Sequence, residues 1–375
     1  MRWLILNTDY PEFLRWLYAE HPELGHKPYD EQMRVRMDSL FGVADFYSNN
    51  LCKLGHEAWD IHVNNEALQR AWAAERNISL PPPRLSLQFR LRRGVMPWAS
   101  VAPDQGWTMA VLAAQIKHYK PDVILNQDLR AVGGQFLKQA GSSVQLVIGQ
   151  CAAPLAKTVD LNGYDLMLSS LPNFVERFRS DGLKAELHRF GFEPRILELL
   201  DQPEQMTDAS FVGTLSRDHQ TRVALVEHLC RSTPLLVWGQ GAGNLARGSS
   251  IRRRHQGKAW GKHMYQILRD SRVTLNHHIG VAEQYANNMR LYEATGAGAL
   301  LVTDWKQNLQ EMFEPGKEVI TYRSPIECAE LIEYYLGHET ERASIARAGQ
   351  QRTLREHTYE RRMQELVEIV SRYIQ

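Results

Sequence analysis

Cysteine is scarce. The 375 residues hold four, Cys52, Cys151, Cys230 and Cys328, far apart and without a CxxC pair, so neither a disulfide framework nor a zinc site is indicated. No sign of charge dominates either. Lys and Arg number 44 against 43 Asp and Glu, for a net charge of +1, which removes any general argument for nucleic acid or an acidic membrane surface. No window approaches the roughly 20 apolar residues of a membrane helix. The amino terminus, residues 1–7, turns polar too quickly for a signal peptide. A cytoplasmic, soluble protein with reduced thiols is the expectation. Two nucleotide fingerprints are missing as well. The turn Gly239-Gln240-Gly241-Ala242-Gly243-Asn244 lacks the spacing and the amino-terminal setting of a dinucleotide loop, and there is no P-loop.

What is present is ordinary in bulk and patterned in detail. Apolar residues make up 43% and charged residues 23%, which suits a globular protein, and the length favours two domains over one. Short apolar runs at 3–7, 58–63, 122–126, 144–149 and 166–170 read as strands, alternating with helical stretches at 35–54, 66–75 and 172–179. The tract 78–83 reads as a loop. A polar, proline-bearing break at 190–208 follows, and then the alternation restarts. Strands are expected at 210–214, 235–238, 273–276, 299–303 and 318–322, with a helix at 221–230. Strands spaced by helices imply parallel sheets covered on both faces. The fold class expected is α/β, two doubly wound Rossmann-like domains facing across a cleft. Ligands of such sheets bind outside the carboxyl ends of the strands.

Several strand ends carry groups fit for an anion. Asn287 and Asn288 open a helix whose amino end is a natural anion site, with Arg290 and Glu293 three apart on one face. A cation and a carboxylate there could hold a phosphate and a ribose hydroxyl together. Gly213, at a strand end before Thr214, leaves room for a diphosphate, and Arg222 in the next helix can neutralise it. Gly239 and Gly241 allow close backbone approach. Between Glu227 and Asp270 there is no carboxylate, while Arg252, Arg253, Arg254 and further cations lie there. That run reads chiefly as a solvated basic loop. Asn276 and His277 end a strand beside His278, and alternation would send the two rings to opposite sides if the strand continued. Two adjacent histidines without a third ligand make a poor metal site, so no metal is expected. In the first half, Asp9, His62 and Asp128 follow strands and are titratable candidates for a base, although each also reads as a helix cap or solvated turn.

The segment 287–304 resembles the donor-sugar motif of group-1 glycosyltransferases, most closely the spore-maturation CgeB-like branch. Residues 211–217 with Arg222 resemble that family's phosphate-side loop. Residues 313–319, 322–324, 346–349 and 356–359 resemble its carboxyl-terminal signature, so the likeness runs from about residue 211 to the end. The resemblance implies a GT-B fold. An acceptor domain would span 1–190, a nucleotide-sugar donor domain 209–355, and a terminal helix, 356–375, would pack back on the first domain.

It further implies donor contacts from Gly213, Thr214, Arg222, Gly239, Gly241, Asn276, His277, Asn288, Arg290 and Glu293, with Asp128, Asp9 and His277 as catalytic candidates. Glu293 matches the second, ribose-binding glutamate of the family's pair. The first would fall at Tyr285, and Glu283 is offset by two, so the sugar-ring contact is unassigned. The activity implied is transfer of a sugar from a nucleoside-diphosphate donor to a hydroxyl of a glycan, lipid-linked or protein acceptor. It would need no metal or other cofactor, would retain configuration, and would involve no nucleic acid. A sugar-nucleotide epimerase and a non-catalytic nucleotide-sugar-binding protein are the alternatives.

Overall fold

The computed structural model describes residues 1–81, 85–92, 96–103, 106–156, 158–203, 207–216 and 220–374, with the backbone alone described for 85–92 and 96–103. The described residues form thirteen strands, most of them separated by helices. They are β1 (Arg2–Asn7), β2 (Glu57–His62), β3 (Leu85–Arg92), β4 (Met96–Pro103), β5 (Val123–Asn126), β6 (Leu146–Gln150), β7 (Leu166–Ser169), β8 (Ala185–Leu187), β9 (Thr207–Val212), β10 (Leu235–Trp238), β11 (Ser271–Asn276), β12 (Leu300–Asp304) and β13 (Ile320–Tyr322). They form a six-stranded sheet of order β2-β1-β5-β6-β7-β8, a five-stranded sheet of order β10-β9-β11-β12-β13, and a β3-β4 hairpin. The pairings described within the two larger sheets are parallel, as expected of runs buried on both faces.

The chain groups into two compact units. One comprises Met1–Asp38, Gly55–Gln150 and Leu155–Asp165. The other comprises Ser39–Leu54, Cys151–Pro154 and Leu166–Gln375, and so takes in β7 and β8 as well as the whole five-stranded sheet. In the second unit, strand residues such as Phe211, Val237, Val273, Leu275, Leu300 and Val302 interlock with Leu225, Val226 and Leu229 from the helix Gln220–Ser232. The terminal helix Tyr359–Ser371 packs on the helix Phe46–Lys53, with the Tyr359 ring 5.2 Å from that of Phe46 and 5.6 Å from that of Tyr47. Thr358 starts it by accepting from the Arg361 N–H.

Three expectations change. The helical stretch 35–54 is two helices, Tyr29–Asp38 and Phe46–Lys53, because Leu40, Gly42 and Ala44 all sit at positive φ between them. The β3-β4 hairpin lies where no strand was expected. In the break 190–208 a short helix, Ile196–Leu199, forms, and β9 already begins at Thr207. The expected loop 78–83 is described only to Pro81.

Candidate functional site

In the first unit, the turn after β1 presents Asp9. Arg36 holds it from the helix Tyr29–Asp38, donating from Nη2 at 2.6 Å and from Nε at 3.0 and 3.2 Å. His62 Nδ1, at the end of β2, lies 3.1 Å from Asp9 Oδ2 without the alignment of a hydrogen bond. The Asn64 side chain exchanges two hydrogen bonds with the Asp9 backbone. All three charged or titratable side chains are buried. Burial raises the Asp9 carboxyl, but His62 and Arg36 outweigh it and hold the group far below the usual carboxylate range. Burial pushes His62 down, against the opposing pull of Asp9. Asp9 is thus a fixed anion with its oxygens engaged, a poor candidate for a base.

Asp128 is engaged too. Its Oδ2 accepts from the Thr8 hydroxyl at 2.6 Å, and Oδ1 accepts from the backbone N–H groups of Arg130 and Ala131. It closes a turn through residues 128–131, ahead of the helix Gly134–Ala140, so the turn reading and not the helix-cap reading describes it.

The second unit assembles more of the expected residues, at the carboxyl ends of β9, β11 and β12. Arg222, on the helix Gln220–Ser232, donates to the carbonyls of His277 at 2.8 Å and Thr214 at 3.4 Å. Its Nε is buried with no partner, and no carboxylate pairs with it among the described residues. Burial lowers its pKa somewhat. Arg290, on the helix Met289–Ala297, donates to the Val212 carbonyl at 3.1 Å and pairs with Glu293 Oε2 at 2.9 Å. Glu293 is 5% exposed, with the Tyr265 hydroxyl 3.5 Å from its other oxygen. Burial raises the Glu293 carboxyl, and Arg290 opposes the shift.

A polar chain crosses these strand ends. Asn288 Nδ2 donates to Asn276 Oδ1 at 2.8 Å, and Asn276 Nδ2 donates to the Thr303 hydroxyl at 2.9 Å. Asn288 therefore does not cap its helix through its side chain, contrary to expectation, and its Oδ1 is buried without a partner. The Tyr322 hydroxyl donates to the Asn276 carbonyl at 2.9 Å, so it must receive the hydrogen of His277 Nδ1, also 2.9 Å away. Neutral His277 then presents the lone pair of Nε2, and burial keeps its pKa below the ordinary value. His278 Nδ1 lies 2.7 Å from Asp304 Oδ1. Because β11 stops at Asn276, strand alternation does not extend to the two histidines, and both flank Asp304, with His277 4.0 Å away. Asp304 is held well below the usual carboxylate range, chiefly by His278 against the cost of burial.

The glycines serve the loop itself. Gly239 and Gly241 have φ of 130° and 95°, and a Cβ on either would lie 2.0 Å from the Gly213 carbonyl oxygen or 1.8 Å from that of Leu215. They let two strand-end turns touch, closed by the Leu215 N–H donating to the Gln240 carbonyl at 2.8 Å. A Cβ at Gly213 would meet the Phe211 ring at 2.9 Å. Among the described residues, no side-chain hydrogen bond or ion pair links Tyr285 or Glu283 to the Arg290–Glu293 pair. Glu283 lies 3.6 Å from Arg177 on the surface. Among the described residues no cluster has the make-up of a metal site.

Two parallel α/β sheets of six and five strands, with polar groups gathered at strand carboxyl ends, have counterparts among solved structures. The Alr3699/HepE protein of Anabaena, solved with UDP-glucose, superposes with a TM-score of 0.62 at 12% identity over 99% of each chain. A glycosyltransferase from Rickettsia africae gives 0.59 at 12% identity, over 100% of this chain and 98% of that one. A sucrose-phosphate synthase from Thermosynechococcus elongatus gives 0.57 at 10%, over 99% and 98%. The fold is GT-B. A family model described as glycosyl transferase-like matches residues 219–368, from the start of the Arg222 helix into the terminal helix. No curated protein matches the chain. Among the described residues, no helix is long and apolar enough to cross a membrane.

Sequence reasoning placed the Asp304 carboxylate at the end of an apolar strand but missed its pairing with His278, and it missed Tyr322 as an organising residue. Asp304 ends an apolar run, the same signal that pointed to Asn276. The role of Tyr322 depends on β13 lying two strands from β11 in the sheet, which spacing does not reveal.

Proposed function

We propose that this protein is a glycosyltransferase that moves a sugar from a nucleoside-diphosphate donor to a hydroxyl of a glycan, lipid-linked or protein acceptor. The observation that carries the reading is Arg222, a half-buried guanidinium at the ends of the strands with no carboxylate partner among the described residues. Arg290, fixed by Glu293 and the Val212 carbonyl, stands at the same strand ends on the helix Met289–Ala297. Cations already held in place stabilise charge that develops on a departing diphosphate without reorganising as the bond breaks. They do so without a metal, and metal independence is part of the proposal. Glu293 is the group to accept from a ribose hydroxyl. Retention is favoured because Asp9 and Asp128 are already engaged, so the departing phosphate oxygen would take the acceptor's proton. A cytoplasmic location and a place in the CgeB-like branch complete the reading.

The test is thermal unfolding with UDP, GDP, ADP and TDP, for wild type and for Arg222→Met and Glu293→Gln. A diphosphate at 100 times its Kd should stabilise by about 2.7 kcal/mol. UDP is the one to try before the others, because Alr3699/HepE was solved with UDP-glucose. A shift with one base, lost or reduced in both variants, is the expected result; no shift with any of the four would refute the donor site. A second reading, a nucleotide-sugar-binding protein without turnover, draws on Tyr285 standing where the family's first glutamate would be. Binding without consumption of any donor would select it, and conversion of the donor sugar with no acceptor present would select the epimerase.

A further inference from the structure

A separate pocket of about 540 Å³ opens at the ends of β12 and β13, on the side of the sheet covered by the helices Gln220–Ser232 and Pro325–Gly337. The Arg290–Glu293 pair belongs to the opposite layer, where the helix Met289–Ala297 packs against Gly261–Arg269 and Glu339–Glu356. The volume falls within the range of about 300–1,000 Å³ typical of small-molecule sites.

Trp305 supplies the pocket's apolar wall. It is 38% exposed, an unusual state for so large a side chain, and the Arg323 guanidinium lies 4.1 Å over its ring. The Trp305 N–H donates to the Tyr322 carbonyl at 2.9 Å, which fixes the backbone that carries the indole. Acceptors line the other side. His277 is bound through Nδ1–H to Tyr322 and so offers Nε2, and Asp304 keeps Oδ2 free of short hydrogen bonds, with Lys306 3.5 Å away. A carboxylate in the lining repels a phosphate. A flat apolar wall facing acceptors, with a guanidinium edge as donor, suits a molecule with one C–H face and several hydroxyls.

We infer that this pocket binds a neutral pyranose ring, stacked on Trp305 with its hydroxyls on His277, Asp304 and Arg323. It is a saccharide subsite distinct from the donor site, and its occupancy does not depend on the donor reading. For a glycosyltransferase it would hold a sugar unit of the acceptor.

Saturation-transfer NMR tests this on the full chain with methyl α-D-glucopyranoside, methyl α-D-mannopyranoside and methyl β-D-galactopyranoside at millimolar concentration, with and without UDP. At least one glycoside should bind the wild type, and Trp305→Ala should weaken it about tenfold or more, the scale of losing an aromatic face with its buried area. Arg323→Lys, which keeps the charge but not the planar stacking, should weaken it less. Circular dichroism and the melting temperature check that Trp305→Ala folds. Three results would overturn the inference: no glycoside bound by the wild type, equal binding by a folded Trp305→Ala, or displacement of the glycoside by UDP. Failure of UDP to bind while the glycoside signal still depends on Trp305 would sink the donor reading alone.

Discussion

Replacing Arg290 by alanine separates what the Arg290–Glu293 pair does for the fold from what it does for a ligand. Glu293 is 5% exposed, its Oε2 meets Arg290 Nη1 at 2.9 Å, and its other oxygen lies 3.5 Å from the Tyr265 hydroxyl. Arg290→Ala strands a buried carboxylate, and removal of one partner from such a pair costs about 3–5 kcal/mol. The carboxyl can escape part of that cost by taking up a proton. Burial already raises its pKa in the wild type, and loss of the opposing cation raises it further.

A carboxyl whose folded pKa lies above its unfolded value costs stability as pH rises through the gap. The deficit of Arg290→Ala should therefore be smallest in acid and, above the wild-type folded pKa, grow by up to about 1.4 kcal/mol per pH unit until the variant's own folded pKa is reached. Glu293→Gln removes the charge from the other end and leaves Arg290 its bond to the Val212 carbonyl. In the double variant Arg290→Ala/Glu293→Gln no buried charge is stranded, so it should recover about 1.5–3 kcal/mol relative to the sum of the single variants. Urea unfolding followed by tryptophan fluorescence at pH 5 and pH 7 gives all four corners of the cycle. Additivity within about 0.5 kcal/mol, or an Arg290→Ala deficit that does not grow with pH, would refute the reasoning.

Arg222→Met should leave the melting temperature without ligand nearly unchanged, since Arg222 has no carboxylate partner to strand, yet lower the affinity for a nucleoside diphosphate by about 1.5–3 kcal/mol in calorimetry. Asp9→Ala strands Arg36 in a buried setting and should destabilise by about 3–5 kcal/mol, with Asp9→Ala/Arg36→Met recovering part of the loss in urea titrations. Among the described residues neither ring nitrogen of His188 has a hydrogen-bond partner, and burial lowers its pKa to about 3. Its stabilising effect is complete above an unfolded value near 6.5 and is lost as pH falls from there toward 3, at about 1.4 kcal/mol per pH unit. A His188 ring resonance titrating near pH 6.5 would contradict this.

How much of this was legible depended on whether the signal was local. Apolar runs such as 235–238 and 123–126 became buried strands because a parallel strand covered on both faces needs little else. The alternation Leu85, Leu87, Phe89, Leu91 was equally legible and went unread, and it is strand β3. The stretch 35–54 keeps a helical period on both sides of its break. The break lies in the positive φ of Leu40, Gly42 and Ala44; Gly42 is a turn signal that went unread, while at Leu40 and Ala44 tertiary packing overrode propensity.

The site divides along the same line. Residue types at strand ends were readable, and the second unit does gather Arg222, Asn276, His277, Asn288, Arg290 and Glu293, but which atom each would engage was not. Asn288 shows why. As an isolated helix start it should accept from its own backbone, but Asn276 lies 2.8 Å from its amide, and Thr303 and Asp304 extend the chain of hydrogen bonds across two strands. A side chain drawn sideways into that network leaves the first N–H groups of the helix Met289–Ala297 without a side-chain cap. Those groups carry partial positive charge, and the helix also bears Arg290. The uncapped end and the strand-end network are therefore one arrangement. Stabilising the helix by a cap would have given up the donors that a diphosphate or a sugar hydroxyl needs.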